Sequence, residues 1–176
     1  MNRADARKAL SSYIEIPGTR LLIWLGLSPN TITLIGLAGA VTAGLLVSQS
    51  LLLWGGITLF VASGLDMFDG SVARATGRVS KFGGLLDSVA DRISEAAVLV
   101  GMLAYFLRES DDMGGLLTFA ALVTSFMVSY VRARASGMEI DCEMGILTRV
   151  ERVLLLATGL VGGQWWSAAI PSTLAI

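Results

Sequence analysis

The stretch DMFDGSVARATGRVSKFGGLLDSVAD, residues Asp66 to Asp91, places four aspartates, several glycines and basic residues between two apolar segments. Asp66 and Asp69 are three residues apart, and Asp87 and Asp91 are four apart, so each pair lies on one face of a helix. A hairpin joining the two helices would bring all four carboxylates together. Because an ionised carboxylate inside a membrane costs about 2.5 to 3.5 kcal/mol on insertion scales, we expect cations beside them.

The composition limits which metal these carboxylates can hold. The chain has no histidine and one cysteine, which excludes histidine or multi-cysteine metal sites, Ser-His triads, Cys-His dyads and an intrachain disulfide. Oxygen ligands alone favour a hard cation, so we predict Mg²⁺, with Mn²⁺ or Ca²⁺ as alternative occupants. Four carboxylates suffice for two ions that share ligands, an arrangement suited to in-line attack at phosphorus. The alternative is that the aspartates solvate a loop and pair with nearby basic residues, namely Arg74, Arg78, Lys81 and Arg92.

The remaining sequence is that of a membrane protein. Hydrophobic residues make up 54% of the 176 residues and charged residues only 15%, with a mean hydropathy of +0.70, whereas a soluble domain is more polar. Helical spans are predicted over about 32–47, 51–65, 85–107, 116–131 and 153–162, and the apolar residues 165–176 begin a sixth. The first span has room to join residues 21–27 across Pro29, and the second is expected to continue, still helical, through 66–75. The predicted fold is an all-α integral membrane bundle of six transmembrane helices in a single domain, 1–176.

The two ends of the chain carry further expectations. Residues 1–13 contain charges throughout and lack an apolar core, which argues against a cleaved signal. Their mixture of apolar and basic residues favours an interfacial helix in a juxtamembrane segment, 1–18, over the alternative of a solvated tail. Residues 165–176 are too few for a comfortable span, so we expect the chain to stop inside the sixth helix.

The distribution of charge predicts the orientation in the cell membrane. All but one of the 13 lysines and arginines lie before the first span or around the connections between the second and third and between the fourth and fifth; the exception is Arg108. Because basic residues are retained on the cytoplasmic side, the N-terminus and both polar connections should face the cytoplasm. The net charge of −1 gives no attraction for nucleic acid, so we predict no nucleic-acid partner.

Eight positions of the aspartate-rich segment match a known signature. They are Asp66, Asp69, Gly70, Ala73, Arg74, Gly83, Asp87 and Asp91. In this pattern the chain resembles the CDP-alcohol phosphatidyltransferase family, and eight fixed positions in 26 residues, 66–91, are far more specific than a lone glycine motif. The likeness extends from the SPNTIT segment at Ser28 to Thr33 as far as Arg152. The resemblance implies a membrane enzyme with six helices, usually a homodimer, that transfers the phosphatidyl group of a CDP-linked lipid to an alcohol and releases CMP.

The resemblance also implies roles for individual residues. Asp66, Asp69 and Asp87 would hold one metal ion and Asp66, Asp87 and Asp91 the second. Asp91 would also be the base that takes the proton of the acceptor hydroxyl. Contacts with the CDP-linked lipid fall to Asn30, Thr31, Ile32, Thr33, Gly70, Arg74 and Ser80. Asn30 has an alternative role as the N-cap of the first span.

The acceptor is indicated by basic residues at the end of the fourth span and the start of the fifth. They are Arg132, Arg134, Arg149 and Arg152. Guanidinium groups bind phosphate in a fixed fork geometry, which favours a phosphorylated polyol as acceptor. The segments SYVRARASG (129–137) and GILTRVER (145–152) resemble those of the family's phosphatidylinositol phosphate synthases and their archaeal ether-lipid relatives, which implies inositol 1-phosphate. Glycerol 3-phosphate is the nearest alternative acceptor, and the arginines have an alternative role as anchors to anionic lipid headgroups.

Functions of two other classes stay open at this point. Carboxylates inside membranes also occur in divalent-cation transporters and channels, although a transport path needs acidic groups along its length rather than near one face. A catalytically silent assembly subunit is the second alternative, and four intact aspartates disfavour it.

Overall fold

The computed structural model describes residues 15–139 and 153–162, and within these ranges all regular structure is helical. The helices are α1 (Ile16–Trp24), α2 (Pro29–Ser48), α3 (Leu52–Asp66), α4 (Asp69–Ala75), α5 (Lys81–Arg108), α6 (Asp112–Ser136) and α7 (Val153–Gly162). The predicted all-α class is confirmed for this part of the chain. Most of the juxtamembrane segment 1–18 and all of the predicted sixth span lie outside the described residues.

The expected join between residues 21–27 and the first span is wrong, because α1 and α2 are separate helices. α1 ends at Trp24, and Gly26 then adopts a left-handed backbone with a φ of 72°, which residues with a side chain rarely adopt. Ser28 caps α2, since its hydroxyl accepts a hydrogen bond from the Thr31 backbone N–H at 3.2 Å. Pro29 follows in the first turn, where its missing N–H costs no bond within the helix.

The second span is also interrupted where a continuous helix is expected. α3 ends at Asp66 and α4 begins at Asp69, with a two-residue turn between them. The Phe68 backbone N–H donates to the Leu65 carbonyl at 3.0 Å, a tighter three-residue bond that ends the α-helical pattern. The Phe68 ring then packs against Gly18 of α1 so closely that an added Cβ on that glycine would overlap it. Asp66 and Asp69 therefore come from two helix ends.

The chain is an integral membrane protein. Within the described residues, three helical stretches are long and apolar enough to cross a membrane: α2, the stretch Leu52–Ala75 that combines α3 and α4, and α6. α5 is longer, at 28 residues, but its first half carries acidic and basic side chains. At 1.5 Å per residue it is roughly 42 Å long. α7, which falls in the predicted fifth span, is a shorter apolar helix within the described residues.

α2 is the central helix and packs against both α3 and α5. Gly36, Ala40 and Gly44 recur every four residues along it, a pattern that predicts close contact with another helix, and all three are buried. Gly44 meets α5 so closely that an added Cβ would overlap the Ala97 carbonyl, and Gly101 packs equally closely on the Gly44 backbone. This contact between backbones fixes the height of α5 beside α2.

Buried apolar side chains join the helices on either side of this contact. The larger cluster, from α2, α3, α5 and α7, comprises Ala43, Val47, Leu52, Leu59, Val98, Ala157 and Leu160. A smaller cluster, Leu22, Ile32 and Val72 with Phe68 packed against it, joins α1, α2 and α4. The smaller cluster holds α1 and α4 at the start of α2, close to the predicted functional side chains.

Candidate active site

Three carboxylates meet where α3 ends, α4 begins and α5 passes. Asp66, Asp69 and Asp87 each offer one oxygen, and these oxygens lie within 4.8 Å of one another. Asp66 is 8% exposed and Asp69 is 9% exposed, while Asp87 is half-buried. Negative charges this close repel one another and lose solvation on burial, which favours a cation bound between them. The all-oxygen donor set fits a hard divalent cation.

α2 supports two of these carboxylates from behind. The Thr33 hydroxyl donates a buried hydrogen bond to Asp69 Oδ2 at 2.6 Å. Gly36, further along α2, leaves space for the other, because an added Cβ there would lie 3.1 Å from Asp66 Oδ1. A hydrogen bond to a carboxylate that binds a metal fixes the rotation of that carboxylate, and the bond from Thr33 can do this for Asp69.

Asp91 lies on α5, one helical turn beyond Asp87. The spacing puts both carboxylates on one face, with a rise of about 6 Å between their Cα atoms. Within the part of the chain that the structure describes, the group inside 4.8 Å comprises the other three aspartates and does not include Asp91. Its neighbour Arg92 has Nη1 3.9 Å from Asp91 Oδ2 and also donates to the Ser88 carbonyl at 2.6 Å.

A cleft of about 270 Å³ opens beside the carboxylates. It is bounded by the start of α2, by α4 and the turn after it, and by the start of α5. The lining residues are Pro29, Asn30, Thr33, Asp69, Gly70, Ala73, Arg74, Arg78, Val79, Ser80, Gly83, Gly84 and Asp87. The cleft thus combines carboxylates that can hold a metal with guanidiniums that can bind a phosphate directly.

Arg74 is held at this cleft by two residues outside the sequence prediction. Its Nη2 donates to Ser71 Oγ at 2.9 Å and to Glu15 Oε1 at 3.4 Å. The Ser71 hydroxyl donates to the same Glu15 oxygen. Nη1 lies over Gly70, where an added Cβ would be 3.2 Å away. The spacing of Ser71 and Arg74 on one helix face is a signal that the sequence offers, whereas Glu15 is 59 residues from Arg74 and has none.

The match to known proteins covers most of the chain. The family model for CDP-alcohol phosphatidyltransferase matches residues 26–173. The chain belongs to this family. The predicted family and the enzyme class of a phosphatidyltransferase are therefore confirmed.

Related phosphatidyltransferases resemble the chain in sequence and in fold. The phosphatidylinositol phosphate synthase of Mycobacteroides abscessus is 32% identical, over 93% of this chain and 80% of that protein. The archaetidylinositol phosphate synthase of Pyrococcus horikoshii is 40% identical, over 78% of this chain and 71% of that protein. A crystal structure of Mycobacterium tuberculosis phosphatidylinositol phosphate synthase with CDP-DAG bound has a TM-score of 0.78 at 32% identity, covering 86% of this chain and 77% of that one. Another structure of the same synthase, in complex with manganese and citrate, has a TM-score of 0.76 at 33% identity, covering 84% and 72%.

The predicted contacts of this phosphatidyltransferase with a CDP-linked lipid fall into two groups. Those that line the cleft are Asn30, Thr33, Gly70, Arg74 and Ser80. Thr31 and Ile32 point elsewhere, because successive residues of a helix face different directions. Thr31 Oγ1 is hydrogen-bonded to Ser28 Oγ at 2.8 Å, and Ile32 is 1% exposed within the smaller apolar cluster.

Two of the cleft residues stand at helix starts. Ser80 caps α5, since its hydroxyl accepts from the Gly83 backbone N–H at 3.0 Å. Ser28 is the N-cap of α2, so the alternative role of Asn30 as that cap is wrong. Asn30 instead reaches toward α5, where an added Cβ on Gly83 would lie 3.4 Å from Asn30 Oδ1. Two helix N-termini, which favour anionic ligands, therefore come together at the cleft.

Two of the four predicted acceptor arginines belong to the described residues, and neither of these two lines the cleft. Arg132 and Arg134 are exposed near the end of α6. Arg149 and Arg152 lie outside the described residues. Binding of an acceptor phosphate by these four side chains therefore stays a prediction.

Proposed function

We propose that this phosphatidyltransferase moves the phosphatidyl group of CDP-diacylglycerol, or its ether analogue, to inositol 1-phosphate and releases CMP. The observation that carries the proposal is the cleft that places Asp69, Asp87 and Arg74 together beside two helix N-termini. The relatives that cover most of the chain support inositol phosphate as the acceptor. They are named as synthases of phosphatidylinositol phosphate and of archaetidylinositol phosphate.

For the cofactor we propose two Mg²⁺ ions, with Mn²⁺ or Ca²⁺ as alternative occupants. Asp66, Asp69 and Asp87 supply the oxygens for one ion. The family resemblance assigns Asp91, together with Asp66 and Asp87, to the second. When bound, the ions would supply positive charge that neutralises the donor diphosphate and the departing phosphate. The manganese in a related synthase supports a divalent ion.

The cleft residues would bind the nucleotide end of the donor. Arg74 brings a guanidinium whose Nη1 lies over Gly70, so the glycine leaves the nitrogen room to reach a phosphate oxygen. Asn30 and Ser80 stand at the two helix starts that line the cleft, where hydrogen-bond donors and acceptors are available to ribose, base or phosphate. Thr33 would act mainly through Asp69, since its hydroxyl is engaged there.

Asp91 would serve as the general base. The acceptor hydroxyl oxygen forms a bond to the phosphorus of the phosphatidyl group while the bond from that phosphorus to the CMP oxygen breaks. The hydroxyl proton passes to the Asp91 carboxylate, and CMP leaves with the displaced electron pair. Asp91 suits this role because it lies on the same face of α5 as Asp87, and its side chain is only 16% exposed.

The acceptor phosphate would bind to the four arginines at the ends of the fourth and fifth spans. Arg132 and Arg134 lie on α6, which packs against α5, the helix that carries Asp91. This neighbourhood supports an acceptor site that reaches the base from the side of α6. The same position also suits arginines that anchor the protein to anionic lipid headgroups. Measuring the acceptor KM of arginine variants distinguishes the two roles.

We also propose the organisation that the sequence predicts. The chain would form a single membrane domain, 1–176, with six spans and residues 66–91 as its catalytic signature. An interfacial helix within 1–18, a cytoplasmic N-terminus and a cytoplasmic cleft accord with the distribution of lysine and arginine. A homodimer accords with the family resemblance.

The test uses the purified protein in detergent with CDP-diacylglycerol, Mg²⁺ and labelled inositol 1-phosphate. We expect Mg²⁺-dependent release of CMP and transfer of the label to lipid, with a kcat/KM higher for inositol 1-phosphate than for glycerol 3-phosphate or serine. Absence of metal-dependent CMP release with every phosphorylated polyol would reject the enzyme. A preference for glycerol 3-phosphate would reject the acceptor and keep the chemistry, and metal flux into liposomes without CMP release would point to a transporter.

A matched pair of variants controls for loss of folding in this test. Asp87→Asn removes a proposed metal ligand, whereas Asp112→Asn changes an exposed aspartate at the start of α6. We expect the first variant to lose CMP release and the second to retain it. Equal activity of the two variants would contradict the proposed metal site.

A further inference from the structure

The two terminal nitrogens of the Arg74 guanidinium have different neighbours. Nη2 is engaged by Ser71 Oγ and Glu15 Oε1 on the side of α1, while Nη1 lies over Gly70 at the cleft. We infer that Glu15 is a positioning residue, which holds Nη2 so that the rest of the guanidinium faces the donor diphosphate. This inference rests on the proposed function, because that function gives Arg74 a diphosphate to bind.

The packing of α1 fixes where Glu15 lies. Gly18, less than one turn after Glu15, receives the Phe68 ring from the turn that precedes α4. Leu22, one turn further, is buried against Val72 of α4 and Ile32 of α2. Because these contacts join α1 to the same short helix that carries Arg74, they hold the backbone of Glu15 near that of Arg74. The residue before α1 thereby acquires a role in donor binding.

The solvent exposure of Glu15 and Arg74 indicates that their ion pair orients Arg74 rather than stabilises the fold. The Arg74 side chain is 67% exposed and the Glu15 side chain 40% exposed, so water screens their attraction. A pair of this kind adds little to the stability of the fold. It does restrict a long side chain with many rotamers, and restricting those rotamers before binding removes part of the entropy cost of holding a phosphate.

A third group completes the arrangement. The Ser71 hydroxyl donates to Glu15 Oε1 and accepts from Arg74 Nη2, so one carboxylate oxygen orients both partners. Ser71 is buried, which limits the positions open to its hydroxyl. Loss of the carboxylate would leave this hydroxyl free to rotate, and the guanidinium would then lose both of its fixed acceptors on that side.

The experiment measures the kinetics of Glu15→Ala and Glu15→Gln in the full-length protein, with CDP-diacylglycerol and the acceptor varied in turn. For Glu15→Ala we expect the donor KM to rise about two- to tenfold, as loss of one orienting hydrogen bond predicts, with the acceptor KM unchanged. Glu15→Gln keeps an oxygen acceptor for Ser71 and Arg74, so its donor KM should stay within about twofold of wild type. Glu109→Ala, an exposed glutamate after α5, is the matched control and should behave as wild type.

A double-variant cycle tests whether Glu15 acts through Arg74. In an Arg74→Ala background the further change Glu15→Ala should leave the donor KM unaltered, because no guanidinium remains to be positioned. A donor KM for Glu15→Ala equal to wild type, or an equal rise in both backgrounds, would overturn the inference. Failure of Glu15→Ala to fold would also overturn it, since that outcome makes Glu15 a structural residue. If the wild-type protein releases no CMP, the proposed phosphatidyl transfer is wrong. If only the Glu15 variants behave as wild type, the transfer stands and the positioning role of Glu15 is wrong.

Discussion

The Thr33 hydroxyl donates a 2.6 Å hydrogen bond to Asp69 Oδ2, and both groups are buried. Thr33 belongs to α2 and Asp69 begins α4, so this bond ties the carboxylate cluster to the central helix. Thr33→Val keeps the shape of the side chain and removes the donor. We expect metal affinity to fall about 10- to 100-fold, as is usual when a partner of a metal ligand is lost. The measurement is the rate of CMP release as a function of Mg²⁺ concentration.

Thr42→Val is the control for the same substitution on the same helix. The Thr42 hydroxyl donates within α2 to the Ala38 carbonyl at 2.8 Å and lies on an exposed face. Its Mg²⁺ dependence should match that of the wild type. A Thr33→Val protein with an unchanged Mg²⁺ dependence would show that the bond does not support the metal site.

Asp91→Asn removes the proposed base without changing the size of the side chain. Because a neutral amide cannot take the proton of the acceptor hydroxyl, we expect turnover to fall by about 10²- to 10⁴-fold. Binding of labelled CDP-diacylglycerol should remain, since the three clustered aspartates and Arg74 are intact. Normal turnover would overturn the assignment of the base, and loss of donor binding would show that the main role of Asp91 is to hold the second metal ion.

Gly44→Ala tests the contact between α2 and α5. An added Cβ would overlap the Ala97 backbone carbonyl, which cannot move aside as a flexible side chain can. Overpacking of this kind typically costs about 1–3 kcal/mol, so we expect a lower midpoint in thermal unfolding in detergent. Gly64→Ala is the control, because among the described residues no atom of another helix lies within 4 Å of a Cβ built there. Equal midpoints for the two variants would contradict the close contact.

Arg149→Ala and Arg152→Ala distinguish acceptor binding from membrane anchoring. Loss of a charged hydrogen bond to the acceptor phosphate should raise the acceptor KM by about tenfold or more while the donor KM changes little. Kinetics with inositol 1-phosphate and CDP-diacylglycerol varied separately give both constants. Equal effects on the two KM values would favour anchors to anionic lipid headgroups.

The spacing of the aspartates allowed the site to be predicted in outline. Asp87 and Asp91 do lie one turn apart on α5. Asp69 and Asp87 meet because a short connection between α4 and α5 brings the two helices together. The pairing of Asp66 with Asp69 on one continuous helix was wrong in detail, since the turn at Phe68 separates them. The Phe68 ring of that turn packs against Gly18, a contact between distant residues that helical periodicity does not predict.

Residues that act across long sequence separations were beyond prediction for the same reason. Glu15 lies 56 residues before Ser71, and no local pattern marks it as the partner of Arg74. The separation of α1 from α2 was in principle visible, because Gly26, Ser28 and Pro29 are respectively a turn residue, a helix cap and a first-turn residue. The apolar character of residues 21–27 outweighed these signals in the sequence prediction.

The most direct test of whether divalent ions bound by the aspartates hold the donor diphosphate is anomalous diffraction from crystals grown with Mn²⁺ and CDP-diacylglycerol. We predict manganese peaks bounded by Asp66, Asp69 and Asp87, in contact with the oxygens of the diphosphate. Aspartates turned away from one another, with the nucleotide bound elsewhere and no manganese between them, would contradict the proposed chemistry.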